Sequence, residues 1–184
     1  MSAESPVVPV RSASTKRRWI IVLVIALTTF VALAVAVKVG ATAQPDRVVT
    51  TWFADGRTAT GGHLGLLLAT LTTPLVLVGL TVIIAVILWV RARRFEAIVL
   101  GLSVLIAYAI GGLMKVIEGR TRPGAPQNLA PEAEPSFPSG HVVVVSTLVL
   151  VSLVLAWGHL SRRGRVISSL LAGAAIVVIS LDRL

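Results

Sequence analysis

The order of apolar and polar residues along the chain falls into blocks rather than into the short alternations of a strand or the stripe of a surface helix. Five long apolar runs stand out, Trp19–Val39, Leu64–Val90, Ala97–Met114, His141–Leu160 and Val166–Leu181, rich in Val, Leu, Ile and Ala on every face. A helix needs about 20 apolar residues to cross the hydrocarbon core of a bilayer. The runs therefore predict an all-α, polytopic membrane helical bundle. The second run is long enough to tilt or to extend past the interface, whereas the third and fifth are short and need neighbours.

Composition sharpens this picture. Of 184 residues, 55% are hydrophobic and 14% charged, against about 25% charged in a soluble domain. A soluble enzyme, a disordered tail and a coiled coil are excluded. The chain has no Cys, which removes disulfides, thiolate catalysis and Cys-ligated zinc. The net charge of +9 could suggest nucleic acid, but its distribution gives another origin. Lys16, Arg17 and Arg18 precede the first run, Arg91, Arg93 and Arg94 separate the second from the third, and Arg162, Arg163 and Arg165 separate the fourth from the fifth. These clusters fall on one side of the expected membrane, and the positive-inside rule makes that side cytoplasmic. The N-terminus is then cytoplasmic, and the loops 40–63 and 115–140 are extracytoplasmic. No nucleic-acid partner is needed.

The N-terminal region admits other readings. Ala41-Thr42-Ala43 has the form of a signal-peptidase site, but the preceding run exceeds the length of a typical signal sequence, so a retained span is expected. Arg17-Arg18 has the form of a twin-arginine signal, which a basic flank also produces. Residues 1–18 are expected as a cytoplasmic tail and 19–184 as the membrane domain. In the first outer loop Val48, Val49, Trp52 and Phe53 share one helical face, which predicts a short helix in the interface. Gly61-x3-Gly65 could permit close helix packing.

The second outer segment carries the chemistry. It runs from Lys115 through Glu118, Arg120 and Arg122-Pro123 to Phe137-Pro138-Ser139-Gly140-His141, which leads straight into the fourth run. Cations at the outer end of a span break the charge rule followed elsewhere and mark a candidate site. Ser139 is a favoured N-cap residue, and Gly140 lets a ligand approach the backbone. A helix start of this kind binds anions. Lys115 supplies a compact charge, Arg122 a planar fork that suits phosphate oxygens, and His141 a proton donor for a leaving alkoxide. Together they describe phosphoryl transfer without a metal. Taken singly, the cations could be snorkelling side chains and Pro-Ser-Gly an ordinary cap; their joint occurrence at consecutive span ends favours a site.

These residues resemble the first two signatures of the type 2 phosphatidic acid phosphatase family, whose members share a fold with vanadium haloperoxidases. Lys115 to Arg122-Pro123 matches Lys-x6-Arg-Pro, and Pro138–His141 matches Pro-Ser-Gly-His. The third signature, Ser-Arg-x5-His-x3-Asp, is only begun. Arg183 aligns with its Arg, Asp182 stands where Ser is usual, and the chain ends at Leu184. The expectation is a chain cut before the last of six spans, lacking the nucleophilic His.

The resemblance implies that Lys115, Arg122 and Arg183 neutralise the phosphate, that Ser139 and the Gly140 backbone bind its oxygens, and that His141 protonates the departing lipid or prenyl oxygen. Arg120, which is not at a signature position, is read as a surface or accessory charge. His159 is about 27 Å from His141 along one helix and is excluded as a substitute nucleophile. His63 lies on the outer side and is read as an interface residue. The implied function is an integral-membrane phosphatase acting on a lipid or polyprenyl phosphate at the extracytoplasmic face. No cofactor and no metal is expected; Glu132 and Glu134 are read as solvated. The competing reading is a non-catalytic membrane protein that binds anionic lipid through the same cradle. A haloperoxidase is disfavoured by the spans.

Overall fold

The structure is a computed structural model, and it describes residues 13–56, 58–120 and 135–182. The described residues form helices α1 (Ala13–Lys38), α2 (Ala43–Asp55), α3 (Ala59–Leu71), α4 (Pro74–Val90), α5 (Arg94–Glu118), α6 (Gly140–Ala156) and α7 (Arg162–Asp182), with a 3-10 turn at Trp157–His159. There is no strand among them. The helical content and the apolar spans make this an all-α membrane-type bundle. The chain divides into two compact units, residues 1–43 and 44–184.

The first unit holds α1. Its segment Ile20–Lys38 is long and apolar enough to cross a membrane, and its Ile, Leu and Val side chains are exposed, as suits a lipid-facing helix. It begins at Ala13, inside the stretch expected as a tail; residues 1–12 lie outside the described residues. Gly40, at φ +75°, turns the chain after the helix.

Within the second unit, α6 packs against α4, α5 and α7, and α3 packs against α7. The core consists of Leu77 from α4, Leu100 and Val104 from α5, Val144, Val145 and Leu148 from α6, and Ile179 from α7. Outward positions such as Leu75, Phe95 and Val116 are more than three-quarters exposed. In a bilayer lipid tails cover such positions, and close packing rather than escape from water holds the helices together. Thr81, buried on α4, is satisfied by donating its hydroxyl to Leu77 O at 2.7 Å. Leu100 is 1% exposed, so Leu100→Ala should leave a cavity and cost about 2–3 kcal/mol. Thermal unfolding in detergent would register it as a lower midpoint.

Four of these helices are long and apolar enough to span, or five spans result if α3 and α4 count as one. Here the structure differs from the sequence expectation of a single long second span. The run breaks at Thr72-Thr73-Pro74, and Gly61–Leu71 meets Pro74–Val90 at a 51° bend. The cause is local. Pro74 occupies the first turn of α4, where its fixed φ and missing N–H are tolerated, and it cannot continue α3. Thr72 closes α3 by donating its hydroxyl to Leu68 O at 2.7 Å.

Helices α5 and α7 outrun their apolar cores. With 25 and 21 residues, both extend into charged flanks and are long enough to span without special support. Glu96, in the first turn of α5, forms an ion pair with Arg93, and an acid there also complements the helix dipole.

The arginine clusters of this unit share one end of the bundle. Arg93 Nη2 lies 3.0 Å from His159 Nε2, joining the α4–α5 turn to the end of α6. Arg165 donates to Trp157 O at 3.1 Å and lies over the Trp157 ring, and Arg94 lies over Trp89. Such pairs hold an aromatic and a cation together.

Candidate active site

The other end of the bundle collects the residues singled out for phosphate chemistry. Lys115 lies in the last turn of α5, where a cation is favoured by the carbonyl end of the helix dipole. The helix stops at Gly119, whose φ of +58° is left-handed and whose N–H donates to Lys115 O at 2.9 Å. Glycine adopts this conformation without a steric penalty, which fixes where α5 ends.

From there the chain is pinned to the start of α6. Ser136 N–H donates to Arg120 O at 2.8 Å, and its hydroxyl reaches the same oxygen at 3.2 Å. The two signature-bearing segments are thus held together although the intervening residues 121–134 lie outside the described residues. The Phe137–Pro138 peptide is cis. Ser139 then caps α6: its Oγ accepts from Val142 N–H at 3.5 Å, and its carbonyl accepts from Val143 N–H at 3.0 Å. Having accepted that bond, the hydroxyl retains its own proton to donate to an oxyanion.

The close approach falls at Gly140. A methyl group placed there would lie 3.8 Å from Lys115 Nζ, 3.9 Å from Lys115 Cε and 3.7 Å from Pro74 Cγ. Three helix ends therefore meet, those of α4, α5 and α6. The ammonium group stands beside the N-terminus of α6, where the dipole and the first-turn amides present positive potential. His141 is the next residue and is buried, at 7% exposed. A turn further on, Val143 Cγ1 lies 3.7 Å from a methyl placed at Gly111, so α5 and α6 stay in contact below the site.

Of the residues selected from the sequence, the structure brings Lys115 against Gly140, with Ser139 and His141 flanking Gly140 in the chain. Arg122, Pro123, Arg183, Glu132 and Glu134 lie outside the described residues. His159 is at the opposite end, bonded to Arg93. His63 is exposed on α3. It stands two residues from Gly65, the position that faces α7, where a methyl would lie 3.1 Å from Asp182 Oδ1. Two helical steps turn a side chain through about 200°, so His63 points away from α7. Among the described residues no group of His, Asp and Glu could hold a metal ion.

Two participants escaped the sequence reading. Pro74 stands against the Gly140 approach, and the run of apolar residues through it concealed the signal that Thr-Thr-Pro gives for a new helix. Arg120 is paired rather than a free surface charge: its Nη2 lies 2.7 Å from Asp46 Oδ2 on α2. No periodicity marks a pair so far apart in the chain.

The chain is thus an all-helical bundle of membrane type, and its candidate site lies where α5 ends and α6 begins. Comparison with known families points to the same stretch. The model of the PAP2 superfamily matches residues 96–184, which supports a type 2 phosphatidic acid phosphatase-like assignment for this part of the chain and, with it, phosphoric ester hydrolase chemistry in general. The match takes in all but the first two residues of α5, both signature segments, α6 and α7, and leaves α1 to α4 outside it. No match was found among curated proteins, and none among solved structures.

Proposed function

We propose that the protein is an integral-membrane phosphatase for a lipid or polyprenyl phosphate, working at the extracytoplasmic face by a metal-independent phosphohistidine mechanism whose nucleophilic His is not one of the three in this sequence. The observation that carries this reading is the approach of Lys115 Nζ to Gly140 at the capped start of α6. Lys115, with Arg122 and Arg183, neutralises the phosphate; the Ser139 hydroxyl and the Gly140 backbone bind its oxygens; and His141 donates a proton to the departing alkoxide. A substrate whose tail stays in the bilayer presents its phosphate at this end of the bundle. No cofactor enters this scheme.

The nucleophile is not supplied by His63, His141 or His159. His63 points away from α7, His159 is at the other end, and His141 serves as the acid. On this reading the 184 residues supply a phosphate cradle and an acid, and hydrolysis by them is not expected. Incubated with phosphatidic acid in the presence of a chelator it should release no inorganic phosphate; release would mean that one of the three histidines attacks phosphorus. In any form of the protein that does turn over, His141→Ala should lower kcat by about 10²–10⁴-fold, the usual contribution of a positioned acid. The absence of a positioned nucleophile among those histidines also favours a second reading, a non-catalytic binder of anionic lipid through the same cradle. Phosphate release by a form carrying the complete third signature separates the two.

Orientation rests on the arginine-rich end, which the positive-inside rule assigns to the cytoplasm. The protein is then a multi-pass cell-membrane protein with a cytoplasmic N-terminus. Because the chain lacks Cys, single replacements report position cleanly. Thr51→Cys should react with an impermeant maleimide on intact cells, and Ser161→Cys only after permeabilisation; the reverse pattern overturns the orientation.

A further inference from the structure

Helix α2 lies outside the family match, and no residue of it is buried. Its face of Val48, Val49, Trp52 and Phe53 is apolar, with Trp52 70% and Val48 64% exposed. Trp52 and Phe53 pack edge to face, their centroids 4.9 Å apart. A short helix with two aromatics on one side, in a chain built of spanning helices, suits the headgroup region of a bilayer.

What ties α2 to the site is Arg120. Its side chain meets Asp46 in the first turn of α2 at 2.7 Å, while its carbonyl receives both the N–H and the hydroxyl of Ser136, three residues before the Ser139 cap. One residue therefore links the membrane-surface helix to the segment that forms the phosphate cradle. Asp46 is itself held in a helical turn, where Thr50 Oγ1 donates to Asp46 O at 2.7 Å. The side chains of the pair are 34% and 40% exposed, and an exposed ion pair is too weak to hold a fold. It is strong enough to set the position of a helix that has no buried residue.

We infer that the Asp46–Arg120 pair is a positioning device that seats α2 beside the cradle, so that a phosphate carried on a lipid is held better than the same phosphate free in water. The inference rests on the reading of Lys115 and Ser139–His141 as a phosphate site. Asp46 and Arg120 touch no phosphate in this scheme. They act through α2, whose apolar face supports the acyl or prenyl end of the ligand.

The test compares two probes, inorganic phosphate and a short-chain phosphatidic acid, binding to the 184-residue protein in nanodiscs of neutral lipid. Asp46→Asn should weaken the lipid phosphate about fivefold, the scale of one exposed ion pair. Inorganic phosphate should stay within about twofold. Exchanging the partners, Asp46→Arg with Arg120→Asp, should restore most of the lipid affinity. A parallel loss for both probes, or none for either, overturns the inference.

Failure of the cradle itself has a different signature, since the unaltered protein would then hold neither probe. In that case spin labels at Thr51→Cys and Val116→Cys decide whether α2 is seated by the pair. A distance distribution that broadens in Asp46→Asn and narrows in the exchanged pair retains the seating role. An unchanged distribution removes it.

Discussion

Replacing Lys115 by Met should lower the affinity for inorganic phosphate by about 10- to 100-fold, the worth of one charge-assisted hydrogen bond to an anion. Isothermal titration of the protein in nanodiscs would measure it. Lys115 is the described cation nearest Gly140, and its ammonium stands beside the α6 N-terminus. Its removal leaves the helix dipole, the Gly140 backbone, the Ser139 hydroxyl and His141 as the described groups proposed to meet the anion. The aliphatic stem is kept by Met, so the packing beside Gly140 changes little. A small loss of affinity, with phosphate still bound, would mean that the ammonium stabilises the bundle rather than the ligand. Arg in place of Lys is not expected to rescue fully, because its longer planar head is a poor fit where the approach to Gly140 is under 4 Å.

The second large effect has opposite signs on stability and on binding. Gly140 begins α6, and its contacts for an added methyl are 3.7 to 3.9 Å, ordinary van der Waals distances. Gly140→Ala should therefore be tolerated by the fold and, by removing the freedom of glycine, should raise stability by about 0.5–1 kcal/mol. The same methyl occupies the space between the backbone and the Lys115 ammonium where an oxyanion would sit. Phosphate affinity should fall by about 10-fold or more, roughly the loss of one hydrogen bond to a charged group. Gly140→Val should fall further. Melting curves and phosphate titrations on the same samples check both signs. A variant that melts higher and binds as before would place the anion elsewhere.

The readable part of this molecule is the part set by local chemistry. Long apolar runs announced the helices, and Ser139-Gly140 announced the cap at the start of α6, because capping acts within one turn. Helix ends were less legible. The charged flanks at Arg94–Glu96 and Lys115–Glu118 look like boundaries, yet α5 runs through both, since the Arg93–Glu96 ion pair satisfies one flank and Gly119 sets the true stop at the other. The break at Pro74 was visible in principle but was outweighed by uniform hydropathy across it. The Asp46–Arg120 contact was not visible at all, because tertiary pairing of distant charges leaves no period in the sequence. Arg122 and Arg183 belong to the reading by resemblance and lie outside the described residues.

The bend between α3 and α4 has a bearing on membrane thickness. Drawn straight, Ala59–Val90 would be a rod of about 45–50 Å, well beyond the roughly 30 Å of hydrocarbon that a bilayer offers. With the corner at Thr72–Pro74 the surplus length can lie along the surface, and its angle rather than the surrounding lipid can absorb a mismatch. Pro74, which forms the corner, also stands against Gly140. A thicker or thinner membrane would then act first on the angle at Pro74, and the contact of Pro74 with the start of α6 would carry that change to the candidate site, a mechanical link between the lipid environment and the proposed chemistry.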